Sequence, residues 1–159
     1  AALCYLNMLI NVDDLLNLSW LDVDLENGEI VIRTGRNPRI MPISEETSEL
    51  LEELASVNGA VGYVFPGLGY KYPHIRGEQI CGVFKTAGYP ILLSQVEEFG
   101  IANFLSQKVE SDLVLIHFGI YSAMETFWKD DRLHERREFV ESWSKMLQAL
   151  IQFCGTQKI

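Results

Sequence analysis

Apolar and polar residues alternate along residues 20–42, whereas the apolar residues before and after this stretch recur at helical spacing. Period-two alternation is typical of strands with one buried face. Asn27-Gly28 interrupts the alternation with a strong hairpin signal, and a second turn with Gly and Pro follows at 35–38. The pattern predicts a three-stranded antiparallel meander with strands at 20–25, 29–34 and 39–42.

Helical patterns flank the meander. Ser44 is a good N-cap, with two glutamates in the turn after it and leucines at 50, 51 and 54 on one stripe, which predicts a helix to about residue 57. Further helices are predicted at 1–10, 12–19, 76–87, 92–107, 111–117, 121–129 and 132–153. The expected fold class is α+β, mainly α, with one small sheet packed on a helical body. Four residues should lie in or near the core: Leu18, Trp20, Ile32 and Phe65.

The composition is that of an ordinary globular domain. The chain has 159 residues, 48% of them hydrophobic and 22% charged, which is enough for one compact domain over 1–159. Its apolar stretches fall well short of the roughly 20 residues of a membrane span, so no membrane partner is expected. The first ten residues lack the features of a signal peptide and are interpreted as a helix at the edge of a longer protein.

Three cysteines and three histidines are widely spaced along the chain: Cys4, Cys81, Cys154, His74, His117 and His134. An odd, scattered set of cysteines favours free thiols in a reducing, cytoplasmic compartment. No two histidines stand four residues apart, so no metal site is predicted, and no motif indicates a cofactor. His117 lies in the apolar run LVLIHFG and is predicted to be a core-edge histidine with one hydrogen bond, whereas His74 is predicted to be exposed.

The run DDLLNLSWLDVDLENGEIVIRTGRNPRIMPISEETSELLEEL, residues 13–54, resembles the front of the catalytic domain of tyrosine recombinases, also called phage integrases. In that family a helix with a motif like G-L-R-x-S-E-L-L-x-L-x-W leads into a three-stranded sheet with a basic turn. ICGVFKTAGY is similar to the helix before the family's second catalytic motif. LIHFGIYSAMETFWKDD resembles its L-G-H-S-x-x-x-T-T-x-x-Y segment. The resemblance covers nearly the whole chain. It implies that residues 1–159 correspond to the catalytic domain, without the helical DNA-clamping domain that precedes it in the family.

The family's chemistry is the attack of a Tyr hydroxyl on a DNA phosphate, assisted by two Arg, a Lys and His or Trp residues. Taken in motif order, the family's catalytic positions are occupied here by Asn11, Thr34, Ser94, Glu97, Ile120 and Lys129. Each missing donor in such a site typically costs about two to three orders of magnitude in rate. Without the nucleophile, the resemblance implies an inactive domain, a pseudoenzyme retained as a DNA-associated or assembly module.

The residues Asn11, Thr34, Ser94 and Glu97 should gather around one concave face, with Lys129 at its rim. Tyr121 could replace the nucleophile, although a tyrosine at the start of a helix is usually a packing residue. Phe127 and Trp128 are expected to pack under the last helix. Two alternatives to the pseudoenzyme remain: an active recombinase with an unusual site, and a protein-interaction module with no nucleic-acid role.

Three arginines, Arg33, Arg36 and Arg39, surround the basic turn. They are candidates for DNA phosphate contacts inherited from the family's DNA-facing sheet. Alternatively, they belong to a solvated turn and pair with Glu29 or with the acidic helix that starts at Glu45. The formal net charge of -9, from 13 basic and 22 acidic residues, opposes binding to nucleic acid. DNA association is therefore expected through the full-length protein, and weak or absent for this domain alone.

The last predicted helix carries an apolar stripe at i, i+3, i+7 spacing: Val140, Trp143, Leu147, Leu150 and Ile151. Such a stripe faces either the core of its own domain or a neighbouring molecule. In the family a C-terminal helix often docks in a neighbouring protomer. The pattern therefore predicts either self-association through this helix or packing of the helix on the domain's own core.

Overall fold

A computed structural model describes residues 1–33, 38–67, 72–88, 92–118 and 132–156, with the backbone alone for 153–156. The helices in these ranges are α1 (Ala2–Met8), α2 (Val12–Leu16), α3 (Glu45–Asn58), α4 (Gly77–Thr86), α5 (Leu93–Ser106), α6 (Ser111–Phe118) and α7 (Leu133–Thr156). The strands are β1 (Val23–Asp24), β2 (Glu29–Ile32) and β3 (Arg39–Pro42). The predicted class, mainly helical with one small sheet, is confirmed.

The strands form an antiparallel sheet in the order β1-β2-β3, as a meander requires. Gly28 makes the first turn with a φ of 63°, in the left-handed region that glycine tolerates best. The first strand is shorter than predicted, because Trp20–Asp22 forms a 3-10 turn. The hydroxyl of Ser19 accepts a hydrogen bond from the backbone N–H of Leu21, a local bond that competes with the strand.

The helices follow the predicted pattern with small changes at their ends. The Ser44 hydroxyl accepts the N–H of Thr47 at the start of α3, as the sequence predicts. α1 stops at Met8, since Leu9 has a left-handed φ of 48°, and α2 stops at Leu16, before the predicted end at 19. The helix predicted at 121–129 lies outside the described residues. Within the described ranges, no helix is long and apolar enough to span a membrane.

The core consists of two clusters. The first joins the sheet to α1–α4, and its most buried members include Tyr5, Ile10, Leu15, Ile30, Ile32, Leu51 and Val64. All four predicted core residues belong to it: Leu18, Trp20, Ile32 and Phe65. The second cluster joins α5, α6 and α7 through Leu9, Phe104, Val114, Phe118, Phe139, Val140 and Trp143. The two clusters meet near the end of α1, which places the α1–α2 junction beside α5.

Polar contacts fix the first half of α7 to the body. The indole N–H of Trp143 donates to the Leu6 carbonyl at 2.8 Å. Ser144 donates its hydroxyl to Glu46 at the start of α3, with a separation of 2.7 Å. Arg137 reaches the hairpin turn, where it donates to the carbonyl of Asn27 at 3.0 Å. The first half of α7 is therefore part of the domain's own structure.

Candidate functional site

Asn11 stands at the junction of α1 and α2, where the resemblance expects the first arginine. Its side-chain carbonyl accepts the backbone N–H of Asp13 at 2.9 Å, so Asn11 is the N-cap of α2. Asparagine is among the best N-caps because its short side chain satisfies one of the free amides at the helix start. The amide group of Asn11 is thus engaged in local structure, while the residue remains exposed.

Glu97 lies on α5, half-buried against the same junction. The backbone N–H of Val12, the residue after Asn11, lowers the pKa of the Glu97 carboxyl and so lies near it. The Tyr5 hydroxyl oxygen lies 3.4 Å from the Glu97 Oε1, and its stronger bond goes to the Leu93 carbonyl at 2.7 Å. The fold therefore brings Asn11 and Glu97, which are far apart in sequence, to one surface between α2 and α5.

The electrostatics of this surface are unfavourable for a carboxylate. Burial raises the pKa of Glu97, and the negative charges of Asp14 and Asp13 raise it further, while hydrogen bonds from Val12 and Tyr5 oppose the shift. Burial, followed by the charge of Glu97, also raises the pKa of the Tyr5 hydroxyl. The charges of Asp13 and Asp14 act on Glu97 in the same direction as its burial, although Asp14 is itself paired with Arg39 at 3.0 Å.

The remaining carried-over positions are only partly described. Ser94 is exposed on α5, one turn before Glu97. Thr34, Ile120 and Lys129 lie outside the described residues, and so do the other residues weighed in that part of the chain, namely Arg36, Tyr121, Phe127 and Trp128. The prediction that Asn11, Thr34, Ser94 and Glu97 share one concave face, with Lys129 at its rim, therefore stays a prediction.

The described arginines of the basic turn pair with carboxylates, but not with the expected ones. Arg33 pairs with Asp22 and keeps 66% of its side chain exposed. Arg39 pairs with Asp14 at 3.0 Å and is 10% exposed. Glu29, one of the expected partners, pairs instead with Arg137 on α7. The partners seen for Arg33 and Arg39 thus differ from the expected ones, and the pairing of Arg36 stays a prediction because that residue lies outside the described ranges.

The burial of Arg39 changes its role. Its Nη2 contacts Asp14 on α2, and its Nε donates to the carbonyl of His117 on α6 at 3.2 Å. A guanidinium held between two helices is poorly placed to reach a DNA phosphate. Among the described residues of the turn, Arg33 is therefore the better phosphate candidate.

His117 was predicted to lie at the edge of the core and is fully buried, with 1% of its surface exposed. Its Nε2 lies 3.0 Å from the Met8 carbonyl, and its Nδ1 has no partner among the described residues. Burial, aided by the charges of Arg136 and Arg39, lowers the pKa of His117 to about 3. The ring is thus neutral at physiological pH and unsuited to proton transfer in that range.

His74 does not follow its prediction, since it is half-buried. Its Nδ1 lies 2.7 Å from the Ile75 carbonyl, and its ring packs edge-on against Tyr63. Two other features escaped sequence reasoning: the Arg39–Asp14 pair and the Tyr5 hydroxyl beside Glu97. Tyr5 stands in an apolar helix pattern that carries no sign of a polar contact.

Two curated proteins are similar in sequence to this chain: the integrase of Shigella phage Sf6 and the prophage integrase IntS of Escherichia coli strain K12. Each is 27% identical over 153 residues, with 90% of this chain and 40% of the relative covered. The XerA recombinase has a TM-score of 0.62 at 16% identity and covers 94% of this chain. The integrase of mycobacterium phage Brujita has a TM-score of 0.64 at 19% identity and covers 88%. This chain is therefore similar in sequence to integrases and has the fold of these two solved proteins, and it is called the integrase-like domain below.

The coverage limits how far the likeness extends. The integrase-like domain spans 40% of the curated relatives, and 55% and 50% of the two solved structures. No protein-family model matches it. The comparisons thus establish its tyrosine-recombinase fold, in agreement with the resemblance of its sequence.

The described part of the integrase-like domain contains no group of three or more His, Cys, Asp or Glu side chains that could hold a metal ion. Cys4 is a buried free thiol, and Cys81 is a half-buried one. Two open pockets of about 470 and 490 Å³ lie beside the start of α4 and along α7. Neither is lined by Asn11 or Glu97, so both are separate from the surface between α2 and α5.

Proposed function

We propose that the integrase-like domain does not catalyse DNA strand transfer and serves as a DNA-associated or assembly module of a longer protein. The observation that carries this proposal is the half-buried carboxylate of Glu97 beside the α2 cap. The resemblance expects arginines at the positions of Asn11 and Glu97. A neutral cap and an acid occupy them instead.

The chemistry of phosphate transfer explains why these replacements matter. Strand transfer develops negative charge on a phosphate, and positioned cations usually supply the largest share of the catalysis. A carboxylate at about 4 Å from a phosphate repels it by about 1 kcal/mol in water and by more where solvent is excluded. Loss of two arginines together with this repulsion disfavours both phosphate binding and the transition state.

A trapping experiment tests the loss of activity. The domain is incubated with a nicked duplex substrate that prevents reversal of strand transfer, beside a recombinase that carries its catalytic tyrosine. The expected result is no covalent protein–DNA complex for this domain and a clear complex for the control enzyme. A covalent complex would refute the proposal, and mass spectrometry would then identify the attacking residue and revive the active-recombinase alternative.

DNA association is proposed for the longer protein, with little contribution from this domain. Arg33 is paired with Asp22, Arg39 is held inside the fold, and the chain carries a net charge of -9. Titration of a labelled duplex at about 0.15 M salt should show no saturation in the low micromolar range, since non-specific binding at such salt is weak even for basic proteins. Saturable binding that is lost in Arg33→Glu and Arg36→Glu would contradict this part of the proposal.

An assembly role finds support at the end of α7. Val140 and Trp143 of the predicted stripe are buried in the domain's own core, whereas Leu150 and Ile151 are 50% and 52% exposed. The apolar stripe of α7 therefore extends past the part of the helix that is buried in the domain's own core. We propose that this end of α7 contacts a second copy. Sedimentation should show association that Ile151→Ser weakens, and a monomer at every concentration tested would refute it.

A further inference from the structure

The pocket of about 470 Å³ beside the start of α4 stands on a narrow neck of backbone. The N–H of Gly67 donates to the carbonyl of Pro73 at 3.2 Å, and the N–H of Ile75 donates to the carbonyl of Phe65 at 3.0 Å. A Cβ on Gly67 would overlap the carbonyl oxygen of Tyr72, so the close approach of the two segments requires glycine. The neck therefore fixes the backbone that carries the side chains of the pocket.

Arg76 presents a flat guanidinium in this pocket. Its Cζ lies 5.0 Å from the centre of the Tyr72 ring, which supports one face of the guanidinium through a cation–π contact. Its Nη2 pairs with Glu78 at 2.8 Å, and 49% of the Arg76 side chain remains exposed. Because the N–H donors lie in the plane of the guanidinium, the ion pair occupies its edge. The exposed part therefore includes the face opposite Tyr72, which can receive a second planar group.

Two further residues of the pocket offer hydrogen bonds. The Nδ1 of His74 lies 2.7 Å from the Ile75 carbonyl. A carbonyl only accepts, so in the neutral ring Nδ1 carries the proton and Nε2 is an acceptor. The Gln79 Oε1 accepts the backbone N–H of Arg76 at 2.8 Å, and the amide NH2 of Gln79 remains a donor. The charges of Arg76 and Glu78 cancel each other, so the described lining favours a neutral, planar ligand that both donates and accepts hydrogen bonds.

We propose that this pocket binds an unpaired nucleobase, stacked on the open face of Arg76. Guanidinium planes and aromatic rings are the groups on which proteins stack unpaired bases. A base carries no charge, so the net charge of -9 opposes only the phosphates of a strand. In a duplex the bases are stacked on one another, and the proposal therefore agrees with weak binding of duplex DNA. It goes beyond the proposed function and does not depend on the loss of strand transfer.

A titration with adenosine tests the pocket. Amide chemical shifts in NMR spectra of the whole chain are followed up to about 10 mM adenosine at about 0.15 M salt. The expected result is saturation with a dissociation constant of about 1 mM, with the shifts concentrated around Tyr72, His74 and Arg76. Raising the salt to about 0.5 M should change this constant by less than about twofold, because stacking of a neutral base releases no counterions. Shifts that do not saturate, or that spread over the surface, would overturn the proposal.

Substitution of Arg76 separates the plane of the guanidinium from its charge. Arg76→Lys keeps the charge, loses the plane, and should weaken adenosine binding by about tenfold. Arg33→Lys is the matched control and should leave binding unchanged, since Arg33 is also exposed and paired with a carboxylate but does not line the pocket. Tyr72→Ala should weaken binding and Tyr72→Phe should not, because Phe keeps the supporting ring. Equal constants for Arg76→Lys and the unmodified chain would overturn the proposal. Arg76→Lys decides the outcome if Tyr72→Ala does not fold, since the Arg76 side chain is half exposed.

A strand of about ten deoxyadenosines, alone and paired with its complement, distinguishes the sources of the base. If the single strand shifts the same amides as adenosine, the pocket serves unpaired DNA, and if adenosine alone does so, the pocket serves free nucleosides or nucleotides. Equal shifts by the duplex and the single strand would overturn the proposal, because paired bases cannot stack on Arg76. Any of these failures would leave the loss of strand transfer standing, since the trapping experiment tests it separately.

Discussion

Removal of the Asp14 carboxylate should be one of the most damaging single changes in this domain. Asp14 and Arg39 contact each other at 3.0 Å, with their side chains 11% and 10% exposed. The Arg39 Nε also donates to the carbonyl of His117, so the guanidinium connects β3 to α2 and α6. Asp14→Ala removes a carboxylate that pairs with this guanidinium and leaves Arg39 in place inside the fold.

Breaking a buried ion pair by removing one partner typically costs about 3–5 kcal/mol, because the other charge stays away from water without its counterion. The remaining exposure of both side chains places Asp14→Ala at the low end, at about 3 kcal/mol. A change of 1 kcal/mol shifts the melting temperature of a domain of this size by about 2–4 °C. The expected decrease in melting temperature is therefore about 6–12 °C.

Asp13→Ala is the matched control. Asp13 lies in the same first turn of α2 but is exposed, so its substitution removes an interaction with the helix dipole that is worth about 0.3–1 kcal/mol. Thermal and urea unfolding, followed by circular dichroism, measure both variants. The reasoning is wrong if Asp14→Ala costs no more than Asp13→Ala. In the double variant with Arg39→Met, the cost of Asp14→Ala should shrink, since the guanidinium that pairs with Asp14 is then absent.

Two further changes test other contacts. The pKa of Glu97 is higher in the folded state than its ordinary value of 4.5. The stability that its protonated form contributes is therefore fully present at a pH below 4.5. It is lost as the pH rises through the folded-state pKa. Glu97→Gln should therefore raise the melting temperature at pH 7 and change it little near pH 4, and a decrease at pH 7 would contradict this. Gly28→Ala should destabilise more than Gly59→Ala in urea unfolding, although both have a positive φ. A Cβ at Gly28 would lie 2.9 Å from the Arg137 Nη1, so the end of the Arg137 side chain would shift and weaken its hydrogen bonds to the carbonyls of Gly28 and Asn27, whereas a Cβ at Gly59 meets nothing within 4 Å. Equal costs would show that backbone strain alone acts at both glycines.

Local signals in the sequence predicted the elements well. Asn27-Gly28 marked the hairpin, Ser44 marked the start of α3, and the apolar periodicity located the described helices to within a few residues. The main error, the length of β1, came from another local signal, the Ser19 hydroxyl that starts a 3-10 turn. Alternation predicts which residues face the core. It does not show that a side chain will hydrogen-bond to the backbone and so shorten the strand.

Pairing between distant residues was not predictable in the same way. Arg39 pairs with Asp14, 25 positions away, and nothing in the spacing distinguishes Asp14 from the other acids of the chain. Periodicity reports burial and not the identity of the partner. The approach of Glu97 to the α2 cap likewise depends on how α5 packs on α1 and α2, so it could be anticipated through the family resemblance and not from the residues themselves.

The two positions at the centre of the proposed loss of activity affect the stability of the fold in opposite directions. Asn11 caps α2, and an N-cap asparagine is worth about 1 kcal/mol relative to residues that cannot cap, so an arginine at this position would give up that stabilisation. Glu97 is half-buried, and its burial together with the charges of two aspartates raises its pKa. Its charge therefore disfavours the folded state at neutral pH. Functional sites commonly sacrifice stability for activity. By this criterion the replacement at Asn11 is what release from catalysis would permit, whereas stability alone does not explain a carboxylate at position 97.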